Sequence, residues 1–202
     1  MTMAYTIEEE QEINEIKTWW KENYKGIITI FVLTMAAVFG WRYWQNYQIE
    51  QTQLRSMQYE AVIADIDSNK AVDNFVKSNG ETTYAVFVLL DQARNEVIDE
   101  KFAEAEKSLT EALNQSQDDI LTSISALRLA AVQYQLGKYE QALATLKQVK
   151  GKTWEASKLI LSGDIQIAQG NKDAAKATFE QALKIANDTQ RPMIEVRFNN
   201  LS

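Results

Sequence analysis

"GKYEQALATL" (Gly137–Leu146) and "GNKDAAKATF" (Gly170–Phe179) are two versions of one pattern. Each opens on glycine, places an alanine five residues on, and reaches a large apolar residue four after that. "EKFAEAEKSL" (Glu100–Leu109) keeps Ala105 and Leu109 in register but carries Glu100 at the glycine place, so its turn is expected to be less typical. A small residue precedes each copy: Ala93, Ala130 and Gly163. From Ala93 to Ala130 is 37 residues, as from Ala105 to Ala142; Ala130 to Gly163 is 33, as from Ala142 to Ala175.

The pattern is steric. Small residues let the two helices of a hairpin approach closely, and glycine occupies a turn in the left-handed region at little cost. Phe102, Leu109, Leu146 and Phe179 are expected to fill the seams, with Ala142 and Ala175 buried at helix contacts and Gln166 a less constrained neighbour. Each unit reads as helix, short turn, helix, matching the tetratricopeptide repeat of about 34 residues with a small insertion between the first two copies. The expected fold is all-α: a helical repeat solenoid behind a single N-terminal transmembrane helix.

That second element is "YKGIITIFVLTMAAVFGWRYW", from Tyr24 to Trp44. Lys25 and Arg42 bracket 16 residues without a charge. A full span usually takes about 20 residues, and long basic side chains at its ends snorkel to the surface. Trp19, Trp20 and Tyr24 flank one side; Trp41, Tyr43, Trp44 and Tyr47 flank the other. Two such aromatic belts suit the two membrane interfaces. A cleaved signal fits poorly, since 23 residues precede the run and no small-residue cleavage site follows it. A buried core helix is the remaining alternative. Lys17, Lys21 and Lys25 before the span, against Arg42 and Arg55 after it, favour a cytoplasmic N-terminus by one residue.

The resulting plan is a cytoplasmic tail over 1–23, which includes the acidic Glu8, Glu9, Glu10 and Glu12, and the span over 24–44. A stalk and leading helices follow over 45–80, repeats over 81–190, and a capping segment over 191–202. Ser68 or Asn69 can start a helix that Gly80 ends. Pro192 is expected to stop the last repeat helix, with Met193, Val196 and Leu201 covering the open solenoid end.

Composition narrows the chemistry. The 202 residues hold 21 Lys and Arg against 28 Asp and Glu, for a formal charge of -7. That balance disfavours nucleic acid as the main partner. There is no cysteine and no histidine. Thiolate chemistry and the usual neutral-pH base are therefore absent. Asp118 and Asp119 are adjacent and do not share a helix face; they read as a cap or solvated loop residues. The expectation is a non-enzymatic interaction protein with no catalytic, metal or cofactor residues. Tyr84, Tyr134 and Trp154 are the candidate interface anchors, because large aromatics often carry binding energy; core packing is the competing reading of the same residues.

The whole chain resembles the YfgM-like family, ancillary subunits of the bacterial SecYEG translocon. The resemblance rests on "TWWKENYK" (Thr18–Lys25), the span, "YAVFVLLDQAR" (Tyr84–Arg94), the two later repeats and the terminal "NNLS". It implies a single-pass inner-membrane protein with a periplasmic repeat domain beside the translocon. It further implies association with a membrane-anchored chaperone of the PpiD type, help in passing exported, unfolded proteins to periplasmic chaperones, and a link to envelope-stress regulation. A repeat adaptor facing the cytoplasm, or a structural scaffold unrelated to the translocon, shares the same repeat features.

Overall fold

A computed structural model describes residues 7–66, 68–80 and 82–201, with side chains from residue 10 onward. Residues 1–6 of the expected tail, the side chains of Glu8 and Glu9, and Ser202 of "NNLS" lie outside the described residues. Every regular element among the described residues is an α-helix. The chain divides into two compact units, Met1–Leu54 and Arg55–Ser202, and the division falls inside one long helix, α1 (Ile7–Ala64). The second unit continues with α2 (Asn69–Asn79), α3 (Thr83–Ile98), α4 (Phe102–Gln115), α5 (Asp119–Gln135) and α6 (Tyr139–Leu146). It closes with α7 (Lys152–Ala168), α8 (Lys172–Ile185) and α9 (Arg191–Asn199).

Three hairpins, α3–α4, α5–α6 and α7–α8, repeat one design. At each turn one residue is left-handed: Glu100 at φ 60°, Gly137 at 72° and Gly170 at 80°. The next N–H reaches back to close the helix, from Lys101 to the Glu96 carbonyl at 2.7 Å, Lys138 to Gln133 at 2.8 Å and Asn171 to Gln166 at 2.8 Å. The left-handed residue itself donates to Val97, Tyr134 or Ile167 at 2.9–3.1 Å. Together these bonds make a Schellman closure. The first turn thus has the same geometry as the others, contrary to the expectation from Glu100. A side chain there costs about 1–2 kcal/mol, and packing of α3 on α4 holds it in place.

The small positions do what their spacing implies. Ala93, Ala105, Ala130, Ala142 and Ala175 are all buried. A Cβ built on Gly163 would stand 2.5 Å from Cε1 and Cζ of Phe179, so this crossing tolerates hydrogen alone. The four-residue difference between the two intervals arises after the crossing. α4 runs six residues past Leu109, as α8 does past Phe179, whereas α6 stops at Leu146, the corresponding residue, and is followed by a longer connection.

A polar bond also recurs once per hairpin. Ser108 Oγ donates to Glu96 Oε2, Thr145 Oγ1 to Gln133 Oε1 and Thr178 Oγ1 to Gln166 Oε1, each at 2.8 Å. The three pairs are separated by the repeat intervals. Gln166, expected to be little constrained, is therefore bonded across its hairpin. These bonds belong with general satisfaction of the interior: no buried side-chain polar atom among the described residues lacks a partner.

Three apolar clusters run along the unit, spanning α2–α5, α5–α7 and α7–α9. Tyr59, Val62 and Ile63, in the last turns of α1, pack against the first. At the other end, α8 stops at Ile185, and Pro192 lies in the first turn of α9 rather than ending the helix before it. α9 lays Ile194, fully buried, and Phe198 against the last cluster, Leu201 just beyond the helix joins them, and Met193 and Val196 are exposed. The covering face is thus Ile194, Phe198 and Leu201, and of the three residues expected there only Leu201 serves.

Candidate membrane helix and partner groove

Within α1, one stretch is long and apolar enough to cross a membrane, and none of it is buried. Ile28, Ile30, Phe31, Val32, Leu33, Val38 and Phe39 all lie exposed. A core helix would bury such residues, so the buried-helix alternative finds no support in this structure. The hydroxyls of Thr29 and Thr34 donate to the helix's own carbonyls at Lys25 and Ile30, both at 2.8 Å. Such bonds satisfy both side-chain hydroxyls of residues 26–40, whose other side chains are apolar. Trp19, Trp20, Tyr24 and Lys25 sit at one end of the apolar stretch and Trp41, Arg42 and Trp44 at the other. Trp20 and Trp41 are 21 positions apart. At about 1.5 Å per residue that is roughly 31 Å, close to the hydrocarbon thickness of a bilayer. Trp41 and Trp44 approach each other, ring centroids 5.4 Å apart.

The candidate interface aromatics occupy the edges of the core and do not form one patch. Tyr84 packs on the first cluster, its ring 5.8 Å from Tyr59. Tyr134 and Trp154 both pack on the second, with Tyr134 6.0 Å from Tyr139. All three are half-buried.

The surface that sequence reading missed is an apolar groove of about 380 Å³ between α3 and α5. Leu90, Ala93, Leu109 and Val132 form its buried floor, Val97 and Ile98 its exposed wall, and Arg94 and Arg128 line it as the only charged residues. Its one sequence signal is the pair Val97-Ile98, two aliphatics left at a helix end just before a polar turn.

The chain matches the tetratricopeptide repeat-like domain family over residues 17–202. It is 50% identical over 98% of its length to the whole of a Haemophilus influenzae protein called ancillary SecYEG translocon subunit. Proteins of the same name from Aggregatibacter actinomycetemcomitans and Escherichia coli K12 are 47% and 29% identical, covering 98% and 96% of this chain and 100% and 97% of their own lengths.

The chain belongs to the ancillary SecYEG translocon subunit family. In this family member Asp118 and Asp119 make structural contacts. Asp118 caps α5 by accepting from the N–H groups of Ile120 and Leu121, both at 2.9 Å, and Asp119 pairs with Lys150 on the surface at 2.7 Å. No cluster of acidic side chains suited to a metal occurs among the described residues. Tyr59 and Glu96 titrate away from their ordinary values. Burial, the hydrogen bond to Asp91 and the Asp91 charge together push the Tyr59 hydroxyl up to about 12. Burial raises the Glu96 carboxyl, partly opposed by the Ser108 bond. Both belong to helix-to-helix contacts, Tyr59 between α1 and α3 and Glu96 between α3 and α4.

Proposed function

We propose that this chain is a non-enzymatic, single-pass inner-membrane protein that binds protein partners at the SecYEG translocon. The observation that carries the reading is the full-length match to relatives bearing that name, through both the apolar helix and the repeats. In this reading residues 24–44 span the membrane, 1–23 are cytoplasmic, 45–80 lead into the repeats of 81–190, and 191–202 cap them. The excess of one basic residue before the span over those after it supports a cytoplasmic N-terminus and a repeat domain in the periplasm. There a PpiD-type chaperone and emerging exported proteins are its partners, and hand-off of those proteins to periplasmic chaperones is its task. A contribution to envelope-stress regulation would follow from the same position. The repeat architecture supports a binding role, since solenoids offer extended surfaces to protein segments.

In-membrane photocrosslinking from the span and from the repeats, at native expression, tests the reading. Adducts with translocon subunits or the anchored chaperone are expected. Capture of an unrelated complex from both regions, with neither of those partners, would overturn it. Protease added to spheroplasts reports orientation: digestion of the repeats with a short N-terminal fragment spared is expected, and protected repeats would place them in the cytoplasm.

A further inference from the structure

We propose that the α3–α5 groove is a docking site for an apolar protein segment that carries an acidic side chain, with Arg94 and Arg128 as the selecting charges. This deepens, and rests on, the reading of the repeats as a partner-binding domain. The groove is apolar on its floor and on the Val97–Ile98 wall, and Arg94 and Arg128 carry the only polar side chains among the residues that line it. Neither arginine has a carboxylate partner among the described residues, although the chain has seven more acidic than basic side chains. Arg197, by contrast, is bonded to Asp164 at 2.8 Å. In an acidic protein, two unpaired arginines beside hydrocarbon favour an incoming carboxylate, which each can grip with two parallel N–H bonds.

Size and shape point to a segment rather than a folded face. The volume is near the low end of the roughly 300–1,000 Å³ typical of pockets for small ligands, room for a pair of large side chains. Because Arg94 and Ile98 are four apart on α3, cation and aliphatic wall lie one above the other on one helix face. A Glu or Asp within a turn of large aliphatic residues would engage both at once. The same apolar, basic lining would attract a fatty acid, so that ligand is one arm of the test.

The probe is an array of short fluorescent peptides with a Leu-Phe core around one central Glu, with Gln and Lys counterparts. Each is titrated by anisotropy against the full chain in nanodiscs. The Glu peptide is expected to bind saturably, and the Gln peptide roughly tenfold more weakly, the scale of one charge-assisted bond pair. Arg94→Gln or Arg128→Gln should weaken the Glu peptide about tenfold while leaving the Gln peptide unchanged. Arg94→Glu with Arg128→Glu should invert the preference toward the Lys peptide. Ile98→Asp should weaken both the Glu and Gln peptides, and Arg191→Gln, on α9, should change nothing. All these positions are exposed, and an unchanged helical spectrum checks that each variant folds. No saturable binding of the Glu peptide to the parent chain would overturn the proposal. So would equal affinity for Glu and Gln peptides, or displacement by oleate with no peptide binding. Span-borne crosslinks to the translocon, measured in the Arg94→Gln variant, are expected to persist. Their loss in parent and variant alike would refute the translocon reading and leave peptide selectivity standing.

Discussion

The crossing of Gly163 and Phe179 offers a quantitative test of the repeat design. The equivalent pairs in the other hairpins are Ala93 with Leu109 and Ala130 with Leu146, so the third repeat trades a methyl on one helix for a ring on the other. Gly163→Ala alone places a Cβ 2.5 Å from two ring carbons of Phe179 and 3.0 Å from a third. Phe179 is fully buried, so the ring has no solvent side to retreat to. Overpacking of this kind costs about 1–3 kcal/mol, and the overlap puts it in the upper part of that range. Replacing a mid-helix glycine returns about 1 kcal/mol. The net expectation is a loss of about 1–2 kcal/mol, or a thermal midpoint lower by roughly 3–6 °C for a unit of this size. Phe179→Leu alone leaves a void at a cost of about 2 kcal/mol. The double variant restores the Ala–Leu pairing of the other repeats and should lose less than the two single variants combined, with a coupling of about 2 kcal/mol. Urea titration of the full chain in detergent, followed by far-ultraviolet circular dichroism, measures all four corners of the cycle. Strictly additive losses, or a Gly163→Ala chain as stable as the parent, would refute the close-approach argument.

Glu100→Gly should raise stability by about 0.5–1 kcal/mol in the same titration, as relief of the left-handed side chain exceeds the added freedom of the unfolded chain. Thr145→Val should cost about 1–2 kcal/mol, because it leaves the buried Gln133 oxygen without its donor, and Thr178→Val should follow it. Tyr59→Phe tests the α1–α3 contact by pH. The folded value near 12 lies above the ordinary 10, so the stabilisation is full below pH 10 and is lost as pH rises toward 12. The stability gap between parent and Tyr59→Phe should therefore shrink across that window, and a constant gap would assign the raised value to something other than Tyr59.

Much of this could be read locally. The apolar run with aromatic and basic ends stands out because membrane crossing demands a continuous stretch of side chains, visible without any partner. The hairpins stand out because close helix approach selects small residues at fixed intervals, and the same selection recurs three times. Asp118 was legible as a cap because capping involves only the next three residues.

What the sequence by itself determined is this set of short-range features: helix content, the repeat interval, the small crossings at Ala93, Ala130 and Gly163, and the exposed apolar helix. Tertiary structure alone decided the rest. It placed Glu100 in a left-handed turn against its own preference, because the docking of α4 on α3 outweighs a cost of about 1–2 kcal/mol at one residue. It chose Ile194 and Phe198 of α9, with Leu201 just beyond it, over Met193 and Val196 as the covering face, since packing against α8 decides which side of that helix is buried. It matched Glu96 with Ser108, Gln133 with Thr145 and Gln166 with Thr178, pairs whose changing chemistry hides a common place. It also opened the groove beside Arg94 and Arg128, which lie on separate helices, 34 residues apart in the chain. Their convergence depends on how one repeat stacks on the next, an outcome of many long-range contacts that no single stretch of sequence encodes.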